Sequence, residues 1–430
     1  MTYDDAINYI KETAAFGSKL GLDNIRTLMS FLGDPQEKLR IIHIAGTNGK
    51  GSTAAYISSV LISSGYKVGI YTSPELFRFS ERIKINDREI EKDDIAAYTT
   101  IVKAASDKMI DKDLGRPTEF ELVMAMAFCY FNEKNVDLVL LEVGMGGRLD
   151  ATNVISKSVL SVITKISYDH MQYLGDTLEA IAGEKAAIIK QNGRVISYPS
   201  EDCVIKVIED ECKAKRAALY ISERPKLLAA DIINGQRFLL SNREYITSLA
   251  GLYETDNASL AIQALQLIKE DFKRVTEETI SAGIAKAVWP GRFEILRQSP
   301  TIIADGAHNT DGATALSESL SKYFKGSKVR LCVGILRDKQ YREMISKLLP
   351  FASSVIVCKV PNARTLETSE LEAVIKEMDP DMQVQVAETI YEAVRELKKP
   401  QPSAAADLIC GSLYLVGPLR EMIIKENKQR

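Results

Sequence analysis

The run Ile-Ile-His-Ile-Ala-Gly-Thr-Asn-Gly-Lys-Gly-Ser-Thr, residues 41–53, joins an apolar strand to a glycine loop carrying Lys50, with a helix expected from Thr53. A bound nucleotide phosphate needs that order. Glycines let the backbone turn tightly and aim several N–H groups at one anion. The lysine adds a point charge, and the helix N-terminus adds its dipole. The usual phosphate-loop spacing places a glycine five residues before the Gly-Lys pair, where this chain has Ile44. Its first glycine is Gly46, so the loop is two residues shorter than in kinases and GTPases.

Other loops carry groups that could work beside such a site. Glu142 closes the apolar run Val136–Leu141 and is followed by Val-Gly-Met-Gly-Gly-Arg-Leu-Asp, residues 143–150. A carboxylate at a strand end near a phosphate loop commonly holds Mg²⁺; the plainer alternative is a helix-cap or surface carboxylate. Asp169-His170 follow the next strand signal. Magnesium prefers oxygen, so a histidine ligand there points to a second cation site or a softer metal. Asp305-Gly306-Ala307-His308-Asn309 puts a carboxylate and an imidazole at another strand end, suited to ribose, base or a reacting phosphate, or to a capped turn. His43, inside the apolar strand, reads as structural. Lys185 lies in an amphipathic helix and reads, on composition alone, as a surface salt-bridge residue; Lys190, at that helix's end, reads as a solvated cap.

The elements that must position these groups alternate from residue 40 onward. Helical 53–65 precedes a strand at 67–71, and helical 119–133 precedes the strand ending at Glu142. A strand at 159–166, a helix at 177–190 and a strand at 194–198 follow. Continuous apolar strands between helices predict a mainly parallel sheet covered on both faces. Around 236–248 two short strands flank Ser241-Asn242-Arg243, a hairpin expected on a sheet edge. Helices at 256–270 and 276–288 lead to Trp289-Pro290-Gly291-Arg292 and Ser299-Pro300. A second alternating series runs from a strand at 301–305 to one at 406–410. The fold class is therefore α/β: a phosphate-loop domain over residues 1–295 and a smaller, open Rossmann-like α/β domain over residues 300–430. Ligands in such sheets sit beyond the carboxyl ends of the strands, and loops facing each other from two such domains predict a cleft.

Composition narrows the class of partner. The 430 residues are 46% hydrophobic, with 55 basic and 58 acidic side chains and a net charge of −3. That near balance creates no field to gather nucleic acid or an anionic membrane surface. No apolar run reaches transmembrane length, and the start Met-Thr-Tyr-Asp-Asp does not resemble a secretory signal. Six scattered cysteines, without a Cys-x-x-Cys pair, read as thiols in a reducing compartment. A cytoplasmic monomer acting on small molecules is expected.

Taken in order, these loops resemble the folylpolyglutamate synthase and dihydrofolate synthase family of the Mur ligase superfamily. The markers are Gly46 to Ser52; Thr72-Ser73-Pro74 with Phe79-Ser80-Glu81-Arg82-Ile83; Glu142 to Asn153; Asp169-His170; Glu184-Lys185; Asn257; Pro290 to Glu294; Asp305 to Asn309; and Gly411 to Tyr414. They cover nearly the whole chain, and the shortened phosphate loop is what this superfamily has. The resemblance implies a ligase that adds L-glutamate to folate, and to dihydropteroate as well, at the expense of ATP and through an acyl phosphate. Gly49, Lys50, Gly51 and Ser52 would hold the ATP phosphates, and Ser73, Glu142 and His170 would ligate two Mg²⁺ ions. Lys185 would be carbamylated and help to organise the second metal. Asn257, Arg292 and Asp305 would contact the nucleotide, with His308 near the γ-phosphate; Lys50, the metals and His308 would stabilise the charge on the transferring group. Folate or dihydropteroate would lie near Lys19-Leu20, Thr118, Glu119, Phe120, Glu121, Leu149, Asp150 and Ala151. The chain departs from the family pattern in three places. Glu75 stands where His often follows Ser-Pro, Gly251-Leu252-Tyr253-Glu254 stands for Gly-x-His-Gln, and Thr310 replaces Pro after Asp-Gly-Ala-His-Asn. Rival readings are a cell-wall Mur ligase, for which a separate UDP-binding domain ahead of residue 46 is not expected here, a phosphate-loop switch or kinase, and a regulator that has lost catalysis.

Overall fold

The structure, a computed structural model, describes residues 1–14 and 21–429. The chain forms two compact units that interleave along the sequence. The first holds residues 1–166, 170–224 and 259–283; the second holds 167–169, 225–258 and 284–430.

The first unit is built on an eight-stranded sheet. Its strands are β1 (Ile41–Ala45), β2 (Val68–Tyr71), β3 (Ile83–Ile85), β4 (Arg88–Glu89), β5 (Leu138–Glu142), β6 (Leu160–Ile163), β7 (Arg194–Ser197) and β8 (Ala218–Ile221), in the order β4-β3-β2-β5-β1-β6-β7-β8. The six strands from β2 to β8 in that order pair in parallel, while β3 and β4 add an antiparallel edge. Strands β1, β2, β5 and β6 are buried along their length, which is why they read as unbroken apolar runs. Helices Tyr3–Ala14, Asp23–Phe31, Lys92–Asp111 and Glu119–Glu133 share one core with Tyr71, Val139 and Leu141, and helices Leu178–Ala186 and Asp202–Lys215 share another with Ile163 and Val195. The connection from β1 leads to β2 on one side, and β5 leads across β1 to β6 on the other. The carboxyl ends of β5, β1 and β6 therefore surround a topological switch point, where open α/β sheets place their ligands.

The second unit contains a three-stranded antiparallel sheet of β9 (Lys226–Asp231), β10 (Gly235–Leu240) and β11 (Arg243–Thr247). The hairpin about Ser241-Asn242 is present, but it pairs with β9 to make its own sheet and is not an edge of the parallel one. Both turn residues have positive φ, 47° and 64°, the geometry that joins adjacent antiparallel strands with two residues. The larger sheet of this unit runs β12 (Glu294–Gln298), β13 (Thr301–Ala304), β14 (Val329–Val333), β15 (Ala352–Cys358), β16 (Val384–Ala387) and β17 (Asp407–Cys410), in the order β12-β13-β17-β14-β15-β16. All pairs are parallel except β12 with β13. The alternation from 301 to 410 matches the expected series closely; β12 went unread because it follows Trp289-Pro290-Gly291 and is only half-buried. The helix expected over 177–190 stops at Ala186. All six cysteines are free thiols, four of them buried. No described helix is long and apolar enough to cross a membrane.

Candidate active site

The phosphate loop leaves β1 at Ala45 and enters a helix at Lys50, three residues earlier than the sequence pattern predicts. Gly49 caps that helix with φ 86°, a left-handed conformation that glycine adopts without strain, and this early turn brings Lys50, Gly51 and Ser52 into the first helical turn. Backbone N–H groups of a first helical turn have no carbonyl partner within the helix, the arrangement that suits an anion. Gly46 is required for a different reason. A Cβ there would lie 1.8 Å from Thr164 Oγ1, because the loop packs directly on the chain leaving β6. Thr164 Oγ1 donates to the Asn48 carbonyl at 2.7 Å, and Thr47 N–H donates to the Lys165 carbonyl at 2.9 Å.

Two lysines converge on this loop. Lys50 Nζ donates to the carbonyls of Gly46 and Thr47 at 3.0 and 3.1 Å. Lys185 Nζ donates to the same Gly46 carbonyl at 2.9 Å. Composition alone placed Lys185 on the surface, yet it is 4% exposed. No local pattern marks it, because its partner lies 139 residues away. Lys190 is likewise not a solvated cap: its ammonium donates to Asn153 Oδ1 and to the carbonyls of Asn153 and Ile155, and burial lowers its pKa to about 8.

Ser73 and Glu142 stand at the same end of this sheet. Tyr71 pairs with Leu141, so Ser73 lies just beyond β2 and Glu142 closes β5 beside it; Glu142 is also in register with Ile44 of β1. Ser73 Oγ is buried without a hydrogen-bond partner among the described residues. A buried orphan hydroxyl is costly unless something outside the chain satisfies it, and together with an adjacent carboxylate it suits an oxygen-seeking divalent cation. His170 follows β6 with φ 51°, left-handed, and begins the short helix Met171–Leu174. Among the described residues no three His, Cys, Asp or Glu side chains form a metal cluster. His43 is structural, as read: it is fully buried, its Nε2 lies 2.9 Å from Thr152 Oγ1, and burial, with Lys190 nearby, holds its pKa well below 6.5.

In the second unit Asp305 is 2% exposed at the end of β13. Arg292 lies against the following residue: a Cβ on Gly306 would come within 1.9 Å of its Nη1. That guanidinium donates to the Gly291 carbonyl at 3.5 Å and acts electrostatically on the Asp305 carboxylate. Asn257 donates to Glu254 Oε2 at 3.1 Å from the helix Glu254–Ile268. His308 Nδ1 lies 2.8 Å from the Gly306 carbonyl, which can only accept, so in the neutral ring Nε2 carries the lone pair. Burial lowers its pKa to about 4, only partly opposed by Asp169, whose Oδ2 is 3.7 Å away. Asp169 also binds Lys339 Nζ at 2.6 Å and accepts from Asn309 Nδ2 at 3.0 Å. Lys339 escaped the sequence reading because it looked like the start of a helix, which in fact begins at Tyr341.

Residues 44–265 match the Mur ligase middle domain, and residues 291–413 match the Mur ligase glutamate ligase domain. The Bacillus subtilis dihydrofolate synthase/folylpolyglutamate synthase is 36% identical over 440 aligned positions, covering 98% of this chain and 99% of that protein. The chain belongs to the folylpolyglutamate synthase/dihydrofolate synthase family. Two solved members of that family have the same fold. The Thermotoga maritima folylpolyglutamate synthase superposes with a TM-score of 0.85 at 33% identity, covering 99% of this chain and 97% of that one. The Mycobacterium tuberculosis enzyme, solved with ADP and AMPPCP, superposes with a TM-score of 0.87 at 29% identity, covering 98% and 99%.

The residues that the family resemblance pointed to for folate divide by what their side chains already do. Thr118 and Glu121 form a reciprocal cap at the start of helix Glu119–Glu133. Asp150 is 8% exposed and accepts from Met145 N–H and from both N–H and Oγ1 of Thr152, and Ala151 is buried behind it. Phe120 meets Tyr71 edge to face, while Leu149 is 40% exposed. Glu119 lies 3.4 Å from Arg82, whose Nε donates to Glu75. The family-atypical Glu75 is therefore an ion-pair partner of Arg82. Lys19-Leu20 lie outside the described residues.

Proposed function

We propose that this family member is an ATP-dependent ligase that joins L-glutamate to the carboxylate of a folate, and to that of dihydropteroate, acting as a cytoplasmic monomer on small molecules. The convergence of Lys50 and Lys185 on the Gly46 carbonyl, at the carboxyl end of β1 and one strand from Glu142, carries the reading. The double name of the Bacillus subtilis relative supports both acceptors.

A carboxylate resists amines because its leaving group would be oxide. Transfer of the ATP γ-phosphoryl group to a carboxylate oxygen gives an acyl phosphate and ADP; the glutamate amine then attacks the carbonyl carbon and expels phosphate. Gly49, Lys50, Gly51 and Ser52 would grip the ATP phosphates through N–H groups and one ammonium. Ser73, Glu142 and His170 would hold Mg²⁺, two ions in the full site, which supply charge neutralisation on the phosphates. Asn257, Arg292 and Asp305 would hold the nucleotide, with the Arg292 guanidinium supplying a positive charge beside the Asp305 carboxylate. His308 would lie by the γ-phosphate and stabilise the charge on the transferring group. The acceptor would lie on the 1–295 domain near Thr118–Glu121 and Leu149–Ala151, with the 300–430 domain completing the enzyme.

Carbamylation of Lys185 fits the same geometry. Its neutral amine adds to CO₂, forming a nitrogen–carbon bond and releasing one proton. Lys185 and Lys50 both donate to the Gly46 carbonyl, and a carbamate on Lys185 would set an anion beside the Lys50 ammonium and provide oxygens for the second metal. The test is phosphate release from MgATP with dihydropteroate or tetrahydrofolate, each with and without L-glutamate. Release that needs both the acceptor and glutamate supports the proposal, and release indifferent to both refutes it.

A further inference from the structure

Among the described residues Asp305 accepts three hydrogen bonds. Its Oδ2 takes the Tyr253 hydroxyl at 2.5 Å and Phe293 N–H at 2.9 Å, and its Oδ1 takes Ala307 N–H at 2.8 Å. A carboxylate offers about four acceptor positions. Oδ2 is filled, and one lone pair remains, on Oδ1. Tyr253 is fixed in turn. Its ring lies over Gly251, where a Cβ would come within 2.6 Å of Cζ, and its carbonyl accepts Asn257 N–H at 3.3 Å. The segment before it is tied down by Gln236 Nε2, which donates to the carbonyls of Leu249 and Gly251 at 2.9 and 2.6 Å, and by Tyr323 OH, which donates to that of Ala250 at 2.6 Å. The Leu252 N–H donates to Ser319 Oγ at 3.0 Å.

We propose that Tyr253 is a positioning residue for the nucleotide: its hydroxyl occupies Asp305 Oδ2 so that the spare lone pair of Oδ1 takes a ribose hydroxyl. The inference rests on the reading that Asp305 contacts the nucleotide. Its added content is that a side chain which touches no ATP sets ribose affinity, by fixing which carboxylate oxygen is available. Burial and the Asp305 carboxylate raise the phenol pKa well above 10, so the hydroxyl stays a donor across the working pH range. Tyr253 also links Asp305 to Asn257, one helical turn further on, so two nucleotide contacts share one support.

The test compares Tyr253→Phe, Tyr253→His, Gly251→Ala and Asp305→Asn with the unaltered enzyme. The readouts are KM and kcat for ATP, for 2′,3′-dideoxy-ATP and for the folate acceptor. Tyr253→Phe removes one hydrogen bond to a charged group and frees Oδ2 to compete for the ribose. The ATP KM should rise about tenfold, with kcat within about twofold and the acceptor KM unchanged. The preference for ATP over the dideoxy analogue should shrink by a similar factor. Gly251→Ala, which must displace the ring, should reproduce the effect, and Tyr253→His, which retains a donor, should recover part of it. If Asp305→Asn raises the ATP KM while Tyr253→Phe and Gly251→Ala leave the KM and the ribose preference unchanged, the inference is overturned and the nucleotide reading stands. If Asp305→Asn itself leaves the ATP KM unchanged, both fall.

Discussion

Replacing Lys185 by methionine separates its chemistry from its place in the fold. Lys185 is 4% exposed, and its ammonium donates to the Gly46 carbonyl at 2.9 Å. Methionine has nearly the same length and fills the space without a charge. The lost charge-assisted hydrogen bond costs about 1.5–3 kcal/mol. Against that stands the release of a buried cation from a shared carbonyl, where the burial penalty alone is several kcal/mol. The two nearly cancel, so in CO₂-depleted buffer, where Lys185 is an ammonium, the melting temperature should stay within about 4 °C of the unaltered enzyme's. Turnover should fall at least about a hundredfold, the scale on which loss of one preorganised electrostatic group is felt. Melting by differential scanning fluorimetry and incorporation of labelled glutamate should be read on the same preparation, with carbon-13 spectra in labelled bicarbonate. The unaltered enzyme should show a carbamate signal that the variant lacks, and a short carboxylic acid should restore part of the variant's activity. Full turnover in Lys185→Met, or a bare amine in a CO₂-replete and fully active sample, would refute the reasoning.

Lys50→Ala should abolish glutamate incorporation while circular dichroism stays unchanged, because Lys50 is only partly buried and truncating it removes no core packing; wild-type turnover would remove the phosphate-loop assignment. Glu142→Gln should impair turnover even at high Mg²⁺, whereas His170→Ala should be milder and partly rescued by excess metal. Titrations showing the same Mg²⁺ dependence in both variants as in the unaltered enzyme would dismiss the ligand set. Acid should destabilise the fold through His308, whose folded pKa of about 4 lies below the ordinary 6.5. Between those values the unfolded chain binds the extra proton. The contribution is therefore complete above pH 6.5 and lost as pH falls toward 4, by about 3 kcal/mol at most. Urea unfolding at pH 7.5 and 5 should show a smaller loss for His308→Gln than for the unaltered chain, and equal losses would contradict the shift.

The sheet strands were legible because burial on both faces writes them as apolar runs, and helix Glu119–Glu133 because its capping pair Thr118 and Glu121 stands at the start of an apolar stretch. The phosphate loop was legible for the same local reason: strand, glycines, lysine and helix are contiguous. Lys185 and Tyr253 were not legible from pattern. Each is held by a hydrogen bond to a partner far along the chain, Gly46 for one and Asp305 for the other. Family resemblance selected Lys185, but it marked Tyr253 only as a departure. Lys339 was hidden differently, since the residues about it suited a helix start as well as a loop at the end of β14. The hairpin was read correctly from Ser241-Asn242, but its sheet depended on β9, a strand whose residues are nearly all exposed and carry no burial signal.

The central claim, ligation through an acyl phosphate, is tested most directly by following oxygen. Dihydropteroate labelled with ¹⁸O in its carboxylate is incubated with the enzyme, MgATP and L-glutamate, and the inorganic phosphate is analysed by mass spectrometry. The account predicts one labelled oxygen in each phosphate released, with ADP, phosphate and amide formed in equal amounts. Unlabelled phosphate accompanying amide formation, or label appearing in AMP, would contradict it.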